Sequence, residues 1–226
     1  MSKKLMMLAV AAVSAAAFIV PATASAIVPV HLTGGTPIGG TIAGGTARLS
    51  TTNGSTIHCG SVSGTANFEN STTGTMRLTF TGSCNGFGFP CVSPGEASGS
   101  ITTETLPFHL ATIKRVAAGV DETKIPGVLV TPGPESRFAT FTCAGGLIHV
   151  DVKGNGVIGR IESPACGAAH TTTANIVFEA LSHGVQKYTT LEGTETEYTL
   201  EKGTEMAAQE ATGTLTLTAA RGLECT

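Results

Sequence analysis

The sequence predicts an all-β fold: an antiparallel β-sandwich stapled by disulfides, with a β-barrel or two duplicated β halves as alternative arrangements. Three observations carry the prediction. From Ser50 onward, short stretches rich in Thr, Val, Ile and Phe are broken about every ten residues by Gly, Pro, Asn and Ser. Apolar and polar residues alternate in Thr75-Met76-Arg77-Leu78-Thr79-Phe80 and in Thr214-Leu215-Thr216-Leu217-Thr218, the period of a strand with one wet face. Six cysteines, Cys59, Cys84, Cys91, Cys143, Cys166 and Cys225, follow an export signal, and an even number in an exported chain argues for bridges over free thiols.

The signal occupies residues 1–26. Lys3 and Lys4 precede an apolar run from Leu5 to Val20 that only Ser14 interrupts, and Pro21 and Ala24-Ser25-Ala26 supply the break and a small-residue cleavage site. The run is shorter than the roughly 20 residues of a spanning helix. No membrane insertion is therefore expected once it is cleaved, and a secreted, extracellular location is. Cleavage removes two of the 13 basic side chains and leaves 11 against 16 acidic ones, with no basic cluster. Nucleic acid and anionic lipid are thereby poor partners, and a protein or cell-surface partner is the expectation.

Residues 27–49 contain three tandem pentads that open Gly-Gly-Thr, at Gly34, Gly39 and Gly44. Such a stretch has high chain entropy and little to bury, which predicts a flexible leader, with a docked edge strand as the alternative. Residues 50–226 read as a single β domain. Strand candidates run over Thr56–Phe68, Ser98–Ile113, Gly127–Thr131, Arg137–Thr142, Leu147–Val152, Val157–Glu162, Thr172–Leu181 and Tyr188–Leu200, with weak helical character only over Glu205–Ala211.

Turn chemistry proposes the cysteine pairs. Cys59 and Cys84 are equidistant from the centre of the Glu69–Gly74 turn, and Cys143 and Cys166 from the centre of Lys153-Gly154-Asn155-Gly156, the strongest hairpin signal in the chain. Cys91 and Cys225 are then left for each other. The rival pairing joins Cys84 to Cys91 and Cys59 to Cys225. The two hairpins, each followed by a Thr-rich strand, also suggest an internal duplication.

No catalytic, cofactor or metal site is predicted. Gly154-Asn155-Gly156-Val157-Ile158-Gly159 matches a dinucleotide fingerprint in letters, but Pro164 follows too soon for the helix a pyrophosphate would need. Gly60-Ser61-Val62-Ser63-Gly64 places Val62 where a hydrolase nucleophile belongs. The histidines are scattered, and Asp121 and Asp151 are too few for calcium loops. Glu195 and Glu197, which alternate within a Glu-rich C-terminal stretch, are the one pair from which a glycosidase-like hydrolase could be built. The chain lacks Trp, which disfavours a carbohydrate platform. The most interaction-like feature is the loop bearing Phe87 and Phe89, whose rings either tuck under the sheet, the favoured reading, or form a contact patch.

Phe89-Pro90-Cys91-Val92-Ser93-Pro94-Gly95, Leu106-Pro107-Phe108-His109-Leu110, Gly127-Val128-Leu129-Val130-Thr131-Pro132, Phe138–Cys143, Gly156-Val157-Ile158-Gly159 and Ser163-Pro164-Ala165-Cys166 resemble a group of uncharacterised exported bacterial all-β proteins. The similarity spans about Ile57 to the C-terminus and implies compartment and domain extent, without an activity. The functional expectation is a non-catalytic extracellular binding or structural module, with the glutamate hydrolase as the alternative.

Overall fold

The computed structural model describes residues 29–115, 125–181, 184–190 and 199–225. The expected signal segment lies outside these residues, as do Asp121, Glu195 and Glu197. The chain is all-β, and its described residues form seventeen strands: β1 Val30–Thr33, β2 Ile38–Thr51, β3 Thr56–Cys59, β4 Ser61–Phe68, β5 Thr73–Thr81, β6 Asn85–Gly86, β7 Phe89–Val92, β8 Ile101–Thr102, β9 Leu106–Arg115, β10 Ile125–Val130, β11 Ala139–Cys143, β12 Ile148–Gly154, β13 Val157–Ser163, β14 Thr171–Phe178, β15 Tyr188–Thr190, β16 Leu200–Lys202 and β17 Glu205–Cys225.

Fifteen of these strands string together into eight long antiparallel runs. β2 is the first run; β3 with β4, β5 with β6, β7 with β8 and β9, β10 with β11, β12 with β13, and β14 with β16 make the next six; β17 is the eighth. Each run pairs with the next. The eighth then pairs with the first, from Ala207 opposite Thr51 to Leu217 opposite Gly40. The hydrogen-bonded circuit therefore closes on itself, which removes the open sheet edges that invite aggregation. β1 extends the wall beside the C-terminal end of β17, and β15 pairs with the end of β9.

Alternation within the runs sets the inside. Phe68, Met76, Phe108, Val128, Val130, Phe141, Val152, Ile161, Leu215 and Leu217 converge on one apolar interior. Side chains of opposite parity, such as Thr65, Arg77 and Thr216, face out and are exposed. β9, β10 and β13 carry a second layer on their outer face, where Ala111, Ile113, Leu129 and Ile158 pack with Tyr188 of β15. Burial on both faces explains why Gly127-Val128-Leu129-Val130 is apolar without alternation.

The expected flexible leader is instead the wall that closes the circuit. Residues 38–51 form β2, paired on one side with β17 and on the other with β3 and β4. Composition misleads because its glycines answer to close approach. A Cβ on Gly40 would lie 2.9 Å from the Thr216 carbonyl oxygen, and one on Gly44 would lie 2.4 Å from that of Thr212 and 2.7 Å from Val62 Cγ1. The helical reading of Glu205–Ala211 also fails: these residues open β17, where Ala207 and Ala208 are fully buried between β2 and β16. Tertiary pairing overrides the helix preference of alanine there.

The disulfides are Cys59–Cys84, Cys91–Cys143 and Cys166–Cys225. Cys59 meets Cys84 as turn symmetry predicts, by way of a correction in the ladder. β4 and β5 pair Ser61 with Thr81, a register that would set Cys59 opposite Ser83. Positive φ at Gly82 and Ser83 inserts one residue, so β3 and β6 pair His58 with Asn85 and bring Cys84 opposite Cys59.

The predicted pairs Cys143 with Cys166 and Cys91 with Cys225 are wrong, because Lys153-Gly154-Asn155-Gly156 is not a hairpin turn. β12 and β13 continue in the same direction within one run. β12 pairs with β11 and β16, and β13 with β10 and β14. Gly154, at φ +119°, crosses the seventh run so closely that a Cβ would sit 2.1 Å from the Thr199 carbonyl oxygen. The Asn155 side-chain oxygen accepts the Thr199 amide at 2.7 Å. The glycines thus serve a crossing instead of a reversal, and Cys143 and Cys166 stand near opposite ends of the circuit. With the second hairpin goes the internal duplication built on it.

Candidate contact surface at the turn end

The direction of the runs sends four reversals to one end: residues 52–55 between β2 and β3, Phe87-Gly88 between β6 and β7, residues 144–147 between β11 and β12, and Gly203-Thr204 between β16 and β17. Most of the large exposed apolar side chains of the described residues gather here. Phe87 is 39% exposed, Phe89 50%, Leu147 87% and Met206 44%. β7, which carries Phe89, contacts the Ala144–Gly146 turn that precedes Leu147. The expected tucking of both rings is therefore not what the fold does.

Local geometry explains the exposure. Asn85 pairs with Pro90 and Gly86 with Phe89, leaving Phe87 and Gly88 as a two-residue reversal at φ +57° and +81°. Two left-handed residues fit the twist of the flanking strands, and a Gly at the second position removes half of the steric cost. Such a tip projects beyond the interior.

The hairpin is held at its base from both sides. Cys84, before it, is bonded to Cys59 of the second run, and Cys91, after it, to Cys143 of the fifth. Cys84, Cys91 and Cys143 have no exposed surface. The Cys91 amide donates to the Cys84 carbonyl at 2.9 Å and the Cys84 amide to that of Gly99 at 2.9 Å. At the tip, the Lys202 ammonium lies 4.7 Å from the Phe87 ring centroid, within cation–π range. Lys202 belongs to the seventh run, on another wall of the circuit, so the hairpin leans across the open end and one ring face rests on that cation. Two rigid aromatic side chains on a doubly anchored hairpin lose little entropy when they bind, and that is the character of an interface anchor.

A second polar constellation lies on the outer wall, and sequence reasoning missed it. Arg160 Nε donates to the Tyr188 hydroxyl at 3.0 Å, the Tyr188 hydroxyl donates to Glu179 Oε2, and Lys187 Nζ donates to Glu179 Oε1 at 2.5 Å. Arg160 also bonds Glu162. Burial pushes the Tyr188 phenol up, and its hydrogen bond to the Glu179 carboxylate pushes it further. Burial alone would raise Glu179, but the hydrogen bonds from Lys187 and Tyr188 outweigh it and leave the carboxyl below its ordinary value. Burial alone would lower Arg160, yet Tyr188, Glu162 and Glu179 together raise it. All three groups are held in their neutral-pH protonation states, which suits a clasp and not a proton shuttle. Beside it the Gln186 amide spans two backbone groups, accepting the Ile158 amide and donating to the Gly156 carbonyl, both at 2.9 Å. The spacing of Arg160, Glu179 and Tyr188 carries no periodic signal from which the clasp could be read.

The clasp sets an acid response. Glu179, with its folded-state pKa depressed, stabilises the protein fully above the unfolded-state value and loses that contribution as pH falls through the folded one. Glu179→Gln is expected to lower stability at pH 7 by about 1 kcal/mol, discounted for its part-exposed carboxylate, and to shrink the wild-type difference between pH 7 and pH 3. Urea midpoints of both proteins at the two pH values check this.

Of the remaining glutamates of the Glu-rich stretch, Glu210 lies 3.9 Å from Arg48 and Glu205 lies 3.5 Å from Lys202 and bonds Asn53. Among the described residues, no three His, Cys, Asp or Glu side chains gather as a metal site would require, and no helix is long and apolar enough to cross a membrane.

No protein family, curated protein or solved structure matches this chain.

Proposed function

We propose that the protein is exported, oxidised outside the cytosol, and works there as a non-catalytic binding module that uses its turn end to contact a protein at the cell surface. The observation that supports this reading most is the concentration of exposed apolar side chains on turns at one end, with the Phe87–Phe89 hairpin fixed by two disulfides at its base. Three disulfides accord with an oxidising compartment. An exposed aromatic pair is costly to solubility unless something covers it. Aromatic anchors carry a disproportionate share of interface energy, and a protein surface offers the pockets that accept them.

The test is retention of the purified mature protein on the cells that export it. Phe87→Ala with Phe89→Ala should reduce retention at least tenfold, given the 2 kcal/mol or so that truncating a hot-spot aromatic typically costs. The melting temperature should fall only slightly, because Phe89 is half-exposed and Phe87 gives up one surface cation–π contact worth about 0.5–1 kcal/mol. Glu69→Gln, at the opposite end, should bind like wild type. Equal retention by the aromatic variant would remove the turn end from the function.

A further inference from the structure

The interior of the closed sheet is not completely filled. A cavity of about 130 Å³ lies between the walls, bordered by Ile42, Leu78, Phe80, Ile176, Phe178 and Leu215. These side chains come from β2, β5, β14 and β17 and belong to, or pack against, the apolar core. Ile42, Leu78, Phe80, Ile176 and Phe178 are nevertheless only half-buried. Their parity points them inward, so part of the surface they keep faces this void.

Two polar residues with hydrogen-bonding capacity to spare border the otherwise apolar lining: Arg48, whose exposed side chain lies 3.9 Å from Glu210, and Gln209. Gln209, paired with Leu49 across the β2–β17 ladder and sharing its inward face, borders the cavity. Its Nε2 donates to the Glu210 carbonyl at 3.2 Å, and its Oε1 has no hydrogen-bond partner among the described residues. Thr103, also on the lining, is occupied: its hydroxyl accepts the Leu78 amide at 3.0 Å. The cavity also adjoins the place where the β2–β17 ladder shifts register, between Ala211 and Gly213.

We infer that this cavity is a binding site for a small aromatic molecule of about benzene size bearing one hydroxyl group, whose ring fills the apolar space and whose O–H donates to Gln209 Oε1. Size and lining carry the first half: an apolar cavity of about 150 Å³ in a protein interior stays dry and takes up benzene or xenon. The interior of a closed eight-stranded sheet is either filled by side chains or holds one small ligand, and here the side chains leave a void. The Gln209 oxygen carries the second half: at the margin of the cavity, on a half-buried side chain and without a protein donor, it accepts from a ligand that supplies one. The inference is independent of the turn-end proposal and would survive its failure.

Benzene and phenol serve as probes on the oxidised mature protein. Both should raise its melting temperature saturably, and calorimetric titration should show phenol binding roughly 3-fold to 10-fold more tightly, the worth of one hydrogen bond. Gln209→Leu should abolish phenol's preference while leaving benzene binding in place. Ala211→Leu, which projects side-chain volume into the cavity, should abolish both. Should that variant not fold, methyl shifts on benzene addition to the wild type decide the location: they should centre on Leu78, Ile176 and Leu215. No stabilisation by either probe, undiminished binding by a folded Ala211→Leu protein, or methyl shifts centred elsewhere would overturn the inference.

Discussion

Gly44→Ala is expected to destabilise the protein by about 3 kcal/mol or more, with Gly45→Ala, one residue along, within about 0.5 kcal/mol of wild type. The contrast comes from geometry. A Cβ at Gly44 meets the Thr212 carbonyl oxygen at 2.4 Å, Val62 Cγ1 at 2.7 Å and Gly213 Cα at 3.1 Å, whereas one at Gly45 meets nothing within 4 Å. Two of the three obstacles are backbone, so relief requires β2 and β17 to separate at the ladder that closes the sheet. Gly45→Ala also restricts the unfolded chain, which tends to offset any small native-state cost. Urea denaturation of the two variants measures the difference directly. Were residues 27–49 a loose leader, both substitutions would be silent.

Removing the Cys91–Cys143 bridge by paired alanine substitution is expected to cost about 4 kcal/mol on the loop-entropy account. The bridge spans 52 residues and joins two buried sulfurs directly opposite each other on β7 and β11. Its loss also frees one side of the Phe87–Phe89 hairpin. Accordingly, amides from Asn85 to Cys91 should exchange faster in the variant by more than the global loss of stability requires. Removing Cys166–Cys225, which spans 59 residues at the other end, should cost a similar amount and leave the hairpin amides slowed as before, relative to global unfolding. Peptide mapping without reduction should recover Cys91 linked to Cys143 and Cys166 linked to Cys225.

Much of the strand content is legible in the sequence, because alternation is a local property. Met76, Leu78 and Phe80 face inward as their spacing predicts, and Leu215 and Leu217 do the same. Pairing partners are a different matter. Asn155-Gly156 reads as a reversal because those residues tolerate a hairpin's φ angles, yet the same small residues also let one run cross close to another, and only the seventh run's Thr199 decides between the two uses. The Gly-Gly-Thr pentads fail in the same way: glycine in a flexible tail and glycine under a neighbouring carbonyl are spelled identically. At the turn end, Phe87 and Phe89 stand out in the sequence as an interaction loop, but their orientation depends on two disulfides whose partners lie 25 and 52 residues away. Leu147 and Met206 join them only after four distant reversals have been brought to one end. Gln209 carries no sequence signal at all, since its inward face follows from the register of the closing ladder.

That ladder is the element on which the rest depends, and native-state amide exchange of the oxidised protein examines it most directly. Amides of β2 from Gly40 to Leu49 that donate into the β17 or the β3 and β4 ladders should exchange only through global unfolding, as slowly as those of Leu215 and Val128. Exchange of the Gly40 to Leu49 amides within seconds, while the remainder of the sheet stays protected, would show the circuit to be open and contradict this account.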